Sequence, residues 1–312
     1  MPGPLSLYLL LIAAILCVRA EAQPARSDPS SRPPEMFPAI QEFERSQGFR
    51  KTKNFRKESP LLRAYFRCYS TDILHLPDSY EGLRVTRGTE AGCRIDERSH
   101  DVFFYPAEAL ADSTKISSSL TEASDERKAV VVAHEDFHAV MEGQPGSIAE
   151  GATTLIGFLT AAEFAKAQFG EGSEQYRHLS QEAELFLRKA ILINTYHARL
   201  KVLYSSVRKG GTSRTAALAE KQRVFEELGQ KCREILPEPH SFNRCPSVLN
   251  NAGLAFDMTY ANYYPAMYQL YVDHDRDLRA TIESLKRLGS RGAVGQLKAA
   301  ASSFEGPKQE LQ

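Results

Sequence analysis

Residues 130–158 read VVVAHEDFHAVMEGQPGSIAEGATTLIGF, and they predict two helices joined by a tight turn. The first carries an apolar run, Val130–Ala133, with Phe137, Val140 and Met141 continuing the buried face. Ser124 or Asp125 caps it, and the spacing predicts a helix through Met141. Gly143-Gln-Pro-Gly146 breaks the pattern, and a second helix is expected from Ser147 to about Gln168.

Within the first helix, His134 and His138 are four residues apart, so both imidazoles project from one face and can reach one cation. Glu135 points to the neighbouring side, where it can take a proton from water. This H-E-x-x-H pattern sits in a half-buried helix, where two histidines, a Glu and an Asp are costly without partners. A metal centre therefore explains the residues better than chance does. Zinc is the expected ion, since it lowers the pKa of bound water to about 7 and makes hydroxide available at neutral pH. A third protein ligand would leave the fourth position open. Glu150, in the first turn of the second helix, is the candidate. Its alternative is a capping box, Ser147-x-x-Glu150, in which the carboxylate only satisfies a free backbone N–H. His178, His197, His240 and His274 lack a partner at metal spacing and are expected to be exposed or satisfied in the core.

Outward from this stretch, helices are expected from Gly172 to about Lys209, over 213–235, over about 250–272 and over about 275–288. Between residues 36 and 125 the pattern is mixed. A short helix is expected near Pro38–Gln47, and Gly82–Thr86 and Asp101–Tyr105 have strand-like content. The expected fold is mainly α (α+β), a zincin-like helical domain over 36–300 with a small β-containing part at its N-terminal side. Residues 301–312 read as a flexible tail. No repeat of 20–50 residues is visible.

Leu5–Val18 is almost wholly apolar and is followed by Ala20-Glu-Ala22, which reads as a signal peptide at 1–22 cleaved after Ala22. An uncleaved anchor is the alternative, because the basic n-region is missing. Cys17 follows Leu16, too large a residue for a lipoprotein site. Residues 23–35 are rich in Pro, Ser and charge, and read as a disordered linker. The expected location is periplasmic or secreted. Cys68, Cys93, Cys232 and Cys245 remain, an even number that fits disulfides. Nearest-neighbour pairing gives Cys68–Cys93 and Cys232–Cys245, one of three connectivities. Lys+Arg equals Asp+Glu at 39 each, so neither nucleic acid nor a membrane surface is an expected partner. Asp273-His-Asp275-Arg-Asp277 starts like an EF-hand loop, but Leu278 replaces the required Gly, so a solvated turn is expected. A nucleophile elbow is absent.

The 130–158 block resembles the core of the bacterial family of putative, or predicted, aminopeptidases, and so does a second stretch. The latter runs Leu249-Asn250-Asn251-Ala252 to Thr259-Tyr260 and on to Tyr263-Tyr264-Pro265-Ala266. The resemblance implies a zincin-type metallopeptidase acting on peptides, with Glu150 as acidic ligand, Thr154 as the family's Thr and Gly157 as its following Gly. Ala149 departs from the family's Asn, and Glu-Asp-Phe from its more apolar helix filling. Glutamate zincins add a Tyr or His that donates to the oxyanion, and Tyr260 is the choice among Tyr260, Tyr263 and Tyr264. The expected function is thus zinc-dependent peptide hydrolysis, with His134, His138 and Glu150 holding Zn2+ and Glu135 and Tyr260 catalytic. The rival expectation is a non-catalytic helical binding or scaffold protein with a structural or vestigial metal site.

Overall fold

Ser124 starts the helix that matters most: its Oγ accepts from Arg127 N at 3.2 Å, and α3 then runs Asp125–Phe137. In this computed structural model, residues 36–288 are described except for 60, 111–114 and 238–247 apart from Cys245, together with 292, 295 and 297. The expected leader, linker and tail, and His240, lie outside the described residues.

Ahead of α3 come α1 (Met36–Ser46), five strands and α2 (Ser118–Thr121). Three strands form an antiparallel sheet in which β2 (Tyr65–Asp72) is central, between β3 (Arg84–Arg87) and β4 (His100–Ala107). Strands β1 (Lys57–Glu58) and β5 (Lys115–Ile116) make a short parallel pair. After α3 the chain is helical: α4 (Gly146–Phe169), α5 (Glu174–Arg208), α6 (Arg214–Arg233), α7 (Asn251–Ala261), α8 (Tyr264–Asp273) and α9 (Leu278–Lys286). The molecule is mainly helical with a small β part, as expected.

Helix α4 is buried almost all round from Gly151 to Ala165 and forms the centre of the core. Its Phe158 packs on Phe186 of α5, and Phe186 packs on Tyr264 of α8, with ring centroids 5.6 and 4.7 Å apart. The sheet joins this core through α7. Tyr69 of β2 and Phe103 of β4, which face each other in register, both pack on Phe256. Disulfides Cys68–Cys93 and Cys232–Cys245 are both formed, the nearest-neighbour pairing.

The helix limits differ from expectation in two places. Helix α3 stops at Phe137, not Met141. Beyond it, Ala139 N, Val140 N and Met141 N reach the carbonyls of Asp136, Phe137 and His138, three residues back. This tightened turn, with Gly143 at φ +83, reverses the chain before α4. The helix expected over 250–272 breaks at Asn262–Tyr263. Pro265 has no N–H for the Ala261 carbonyl, and its ring would strike that carbonyl in a continuous helix. Asn194 Nδ2 donates to Ala261 O instead, at 2.8 Å. The central strand β2 was absent from the sequence expectations. The Asp273–Asp277 segment is a turn between α8 and α9, and Asp277 caps α9 by accepting from Ala280 N.

On the outer side of α3, Asp136 is buried and accepts from Gln41 Nε2 (2.8 Å), Thr52 Oγ1 (2.6 Å) and Asn54 Nδ2 (2.8 Å). Glu44 of α1 is buried beside it. Burial, and then the charge of Asp136, hold the Glu44 carboxyl well above its usual value of 4.5, so it stays protonated. A carboxyl raised on folding supports stability fully below about 4.5, and this support is lost as pH rises towards the raised value, at about 1.4 kcal/mol per pH unit. Glu44→Gln is therefore expected to raise the urea midpoint at neutral pH, with the gain vanishing near pH 4.5. Equal midpoints at both pH values would contradict this.

Candidate metal centre

His134 lies in the last turn of α3 and His138 at its C-cap, with ring centroids 5.1 Å apart. Glu150 stands in the second turn of α4. Gly157 lets α4 come this close. A Cβ there would lie 3.2 Å from Val130 O and 3.3 Å from His134 Cβ, so the helices meet backbone to backbone beside the first histidine. The outcome is a convergence: one ligand atom each from His134, His138 and Glu150 lies within 4.8 Å of the others. Glu150 Oε2 is 3.3 Å from His134 Nε2 and 3.5 Å from His138 Nε2.

The capping alternative for Glu150 is not what the structure shows. Helix α4 begins at Gly146 with Pro145 at the N-cap and no side-chain cap, so Ser147 is already inside the helix. The carboxylate turns inward instead, and its oxygens divide. Oε1 accepts from the Tyr80 hydroxyl at 3.0 Å. Oε2 is buried with no hydrogen-bond donor placed on it. Tyr80 comes from a 3-10 turn, Tyr80–Gly82, held to α7 because Tyr80 N donates to Thr259 Oγ1 at 2.8 Å.

Electrostatics favour the same arrangement. Burial alone would raise the Glu150 pKa, but the two imidazoles overcome it and hold the carboxyl far below its usual range. Burial lowers the His134 pKa, against the pull of Glu150. A neutral imidazole beside an ionised carboxylate is the protonation state in which lone pairs face a cation. A buried carboxylate oxygen 3.3 and 3.5 Å from two imidazole nitrogens fits a borderline metal with nitrogen and oxygen ligands.

A cavity of about 370 Å³ opens over the triad, lined also by Glu135 and by Tyr69, Tyr80, Tyr105 and Tyr260. Burial raises the pKa of each of these phenols, so all four keep their O–H donors at neutral pH. Of the three tyrosines weighed in the sequence, Tyr260 alone lines this cavity, with its ring centroid 6.3 Å from that of His134. Tyr264 donates to Ala183 O in the core, and Tyr263 is the N-cap of α8. The Asn250-Asn251 pair acts at a distance. Asn250 caps α7 and donates to Val102 O, while Asn251 N donates to Asp101 Oδ2. Together they fix α7 against β4, which sets Tyr260 over the triad.

The other histidines lie elsewhere: His197 Nε2 is 3.0 Å from Pro77 O, His178 lies near Glu126 and Glu174, and His274 is the C-cap of α8. Thr153 also reaches the triad, with Oγ1 3.4 Å from His134 Nε2. Sequence reasoning missed Tyr80, Tyr69, Tyr105, Arg67, Glu108 and Arg127. Tyr80 is 70 residues from the carboxylate it holds, and no local pattern links the two.

A family model described as "Putative aminopeptidase" matches residues 113–299. No curated protein and no solved structure matches the chain.

Proposed function

The chain belongs to the putative aminopeptidase family, and from that premise we propose that it is an exported, zinc-dependent peptidase of zincin type. The observation that carries this reading is the convergence of His134, His138 and Glu150 under a cavity that Glu135 also lines. The proposed ligands are those three side chains, with a fourth position left to water or substrate. When bound, zinc supplies Lewis acidity, polarising the peptide carbonyl and acidifying water.

The chain's own residues have separate tasks in this proposal. Glu135 takes a proton from the attacking water and passes it to the departing amine. Tyr260 donates its O–H to the carbonyl oxygen as charge grows there, a contribution of about 3 kcal/mol in comparable sites. Tyr80 holds Glu150 Oε1 and so aims Oε2 at the two imidazoles. The tyrosine walls limit water around the reacting bond. Export is supported by the two disulfides, which need an oxidising compartment. No helix among the described residues is long and apolar enough to cross a membrane. The domain is proposed to span 36–300.

The test is metal analysis joined to an assay. Purified protein should carry stoichiometric zinc and hydrolyse peptides. A chelator should abolish hydrolysis, and added zinc should restore it. Protein without stoichiometric metal, or zinc in a closed shell of four protein ligands with no hydrolysis, would support the scaffold alternative instead.

A further inference from the structure

We propose that the groove beside the triad takes acidic peptide segments, and that Arg67 is the residue that recognises a substrate carboxylate. The substrate class rests on the peptidase reading. Three carboxylates line the main cavity, and each is already engaged. Glu150 faces the imidazoles, Glu135 holds the general-base position, and Glu108 Oε2 accepts from Arg127 Nε at 2.7 Å in a half-buried ion pair. The described carboxylates therefore leave none to receive a substrate's cationic group.

Arg67 is different. It lies half-buried on β2, lines the same cavity, and makes no ion pair among the described residues. A guanidinium partly withdrawn from water gains strongly from a counter-charge, and its planar fork matches a carboxylate with two parallel hydrogen bonds. Tyr69 and Tyr105 beside it add O–H donors suited to the same anion.

Two blocked fluorescent peptides of equal length serve as probes, one with glutamates flanking its central bond and one with lysines there. Binding is read by anisotropy on zinc-loaded E135Q protein, and cleavage on the wild type. The glutamate peptide should bind about tenfold more tightly at low salt, the size of one charge-assisted contact, and the preference should shrink as salt screens it. R67E should reverse the preference, and R67K, which keeps the charge and the fold, should retain most of it. Equal binding, a preference for lysine, or a preference untouched by R67E would overturn the assignment. Discriminating binding with no cleavage by the wild type of either peptide, or of the same peptides with a free N-terminus, would remove the peptidase reading and leave the acidic-ligand groove standing.

Discussion

Glu135→Gln is expected to lower peptide hydrolysis by about 10²- to 10⁴-fold, the usual contribution of a positioned general base, with zinc still bound in full. The separation of these effects follows from geometry. The Glu135 carboxylate is not among the three converging ligand atoms, although it lines the cavities on both sides of them. The helix it rides on is held by other groups. Asn54 Nδ2 donates to the Glu135 backbone carbonyl at 3.3 Å, and Asp136 is fixed by Gln41, Thr52 and Asn54. The amide of glutamine fills the same volume and cannot accept a proton at neutral pH. Metal content, melting temperature and kcat are the three readings. Unchanged kcat would remove the acid–base role, and lost zinc would make Glu135 a ligand instead.

The proposed mechanism needs both halves of the fold. The ligands come from two helices that Gly157 allows into contact, while the walls come from the sheet and α7. Lys221 Nζ pairs with Asp101 Oδ2 at 2.6 Å, and the same oxygen accepts from Asn251 N. One buried carboxylate thus joins α6, α7 and β4, and so carries Tyr260 and Tyr105 to the same cavity. A buried pair of this kind adds little stability over an apolar substitute, but removing one partner is costly.

The helical part was legible because its signals are local. Ser124, one of the two caps expected for α3, does cap it, and Ser173 and Ser213 cap α5 and α6 in the same way, each accepting from the backbone N–H three residues on. The two histidines and Glu150 could be singled out because helix period and one turn suffice to bring them together. The limits of α3 and the break before α8 were not legible in that way. They depend on where the chain must reverse and on what replaces a missing N–H, as Asn194 does for Pro265. The sheet was hardest. β2 carries Arg67, Ser70, Thr71 and Asp72 among its aromatics, so simple alternation is blurred. Tyr80 reaches Glu150 only after the sheet and α7 have assembled, which is a tertiary fact with no sequence period.

Glu150→Ala is expected to strip the protein of stoichiometric zinc and so to abolish hydrolysis. Two imidazoles alone lack the third ligand and the negative charge that a structural partner supplies. Loss of an outer partner of a ligand already costs 10- to 100-fold in metal affinity, so loss of the ligand itself should exceed about 100-fold. Tyr80→Phe provides the graded control. It keeps the carboxylate but removes the O–H that donates to Oε1, and should weaken zinc by about 10- to 100-fold. The order of affinity should therefore be wild type, Tyr80→Phe, Glu150→Ala. A carboxylate that served only the helix would behave otherwise. Its removal would lower the melting temperature and leave zinc in place, with Tyr80→Phe indistinguishable from the wild type. Titrating zinc into the three chelated proteins with a competing fluorescent indicator decides between these orders.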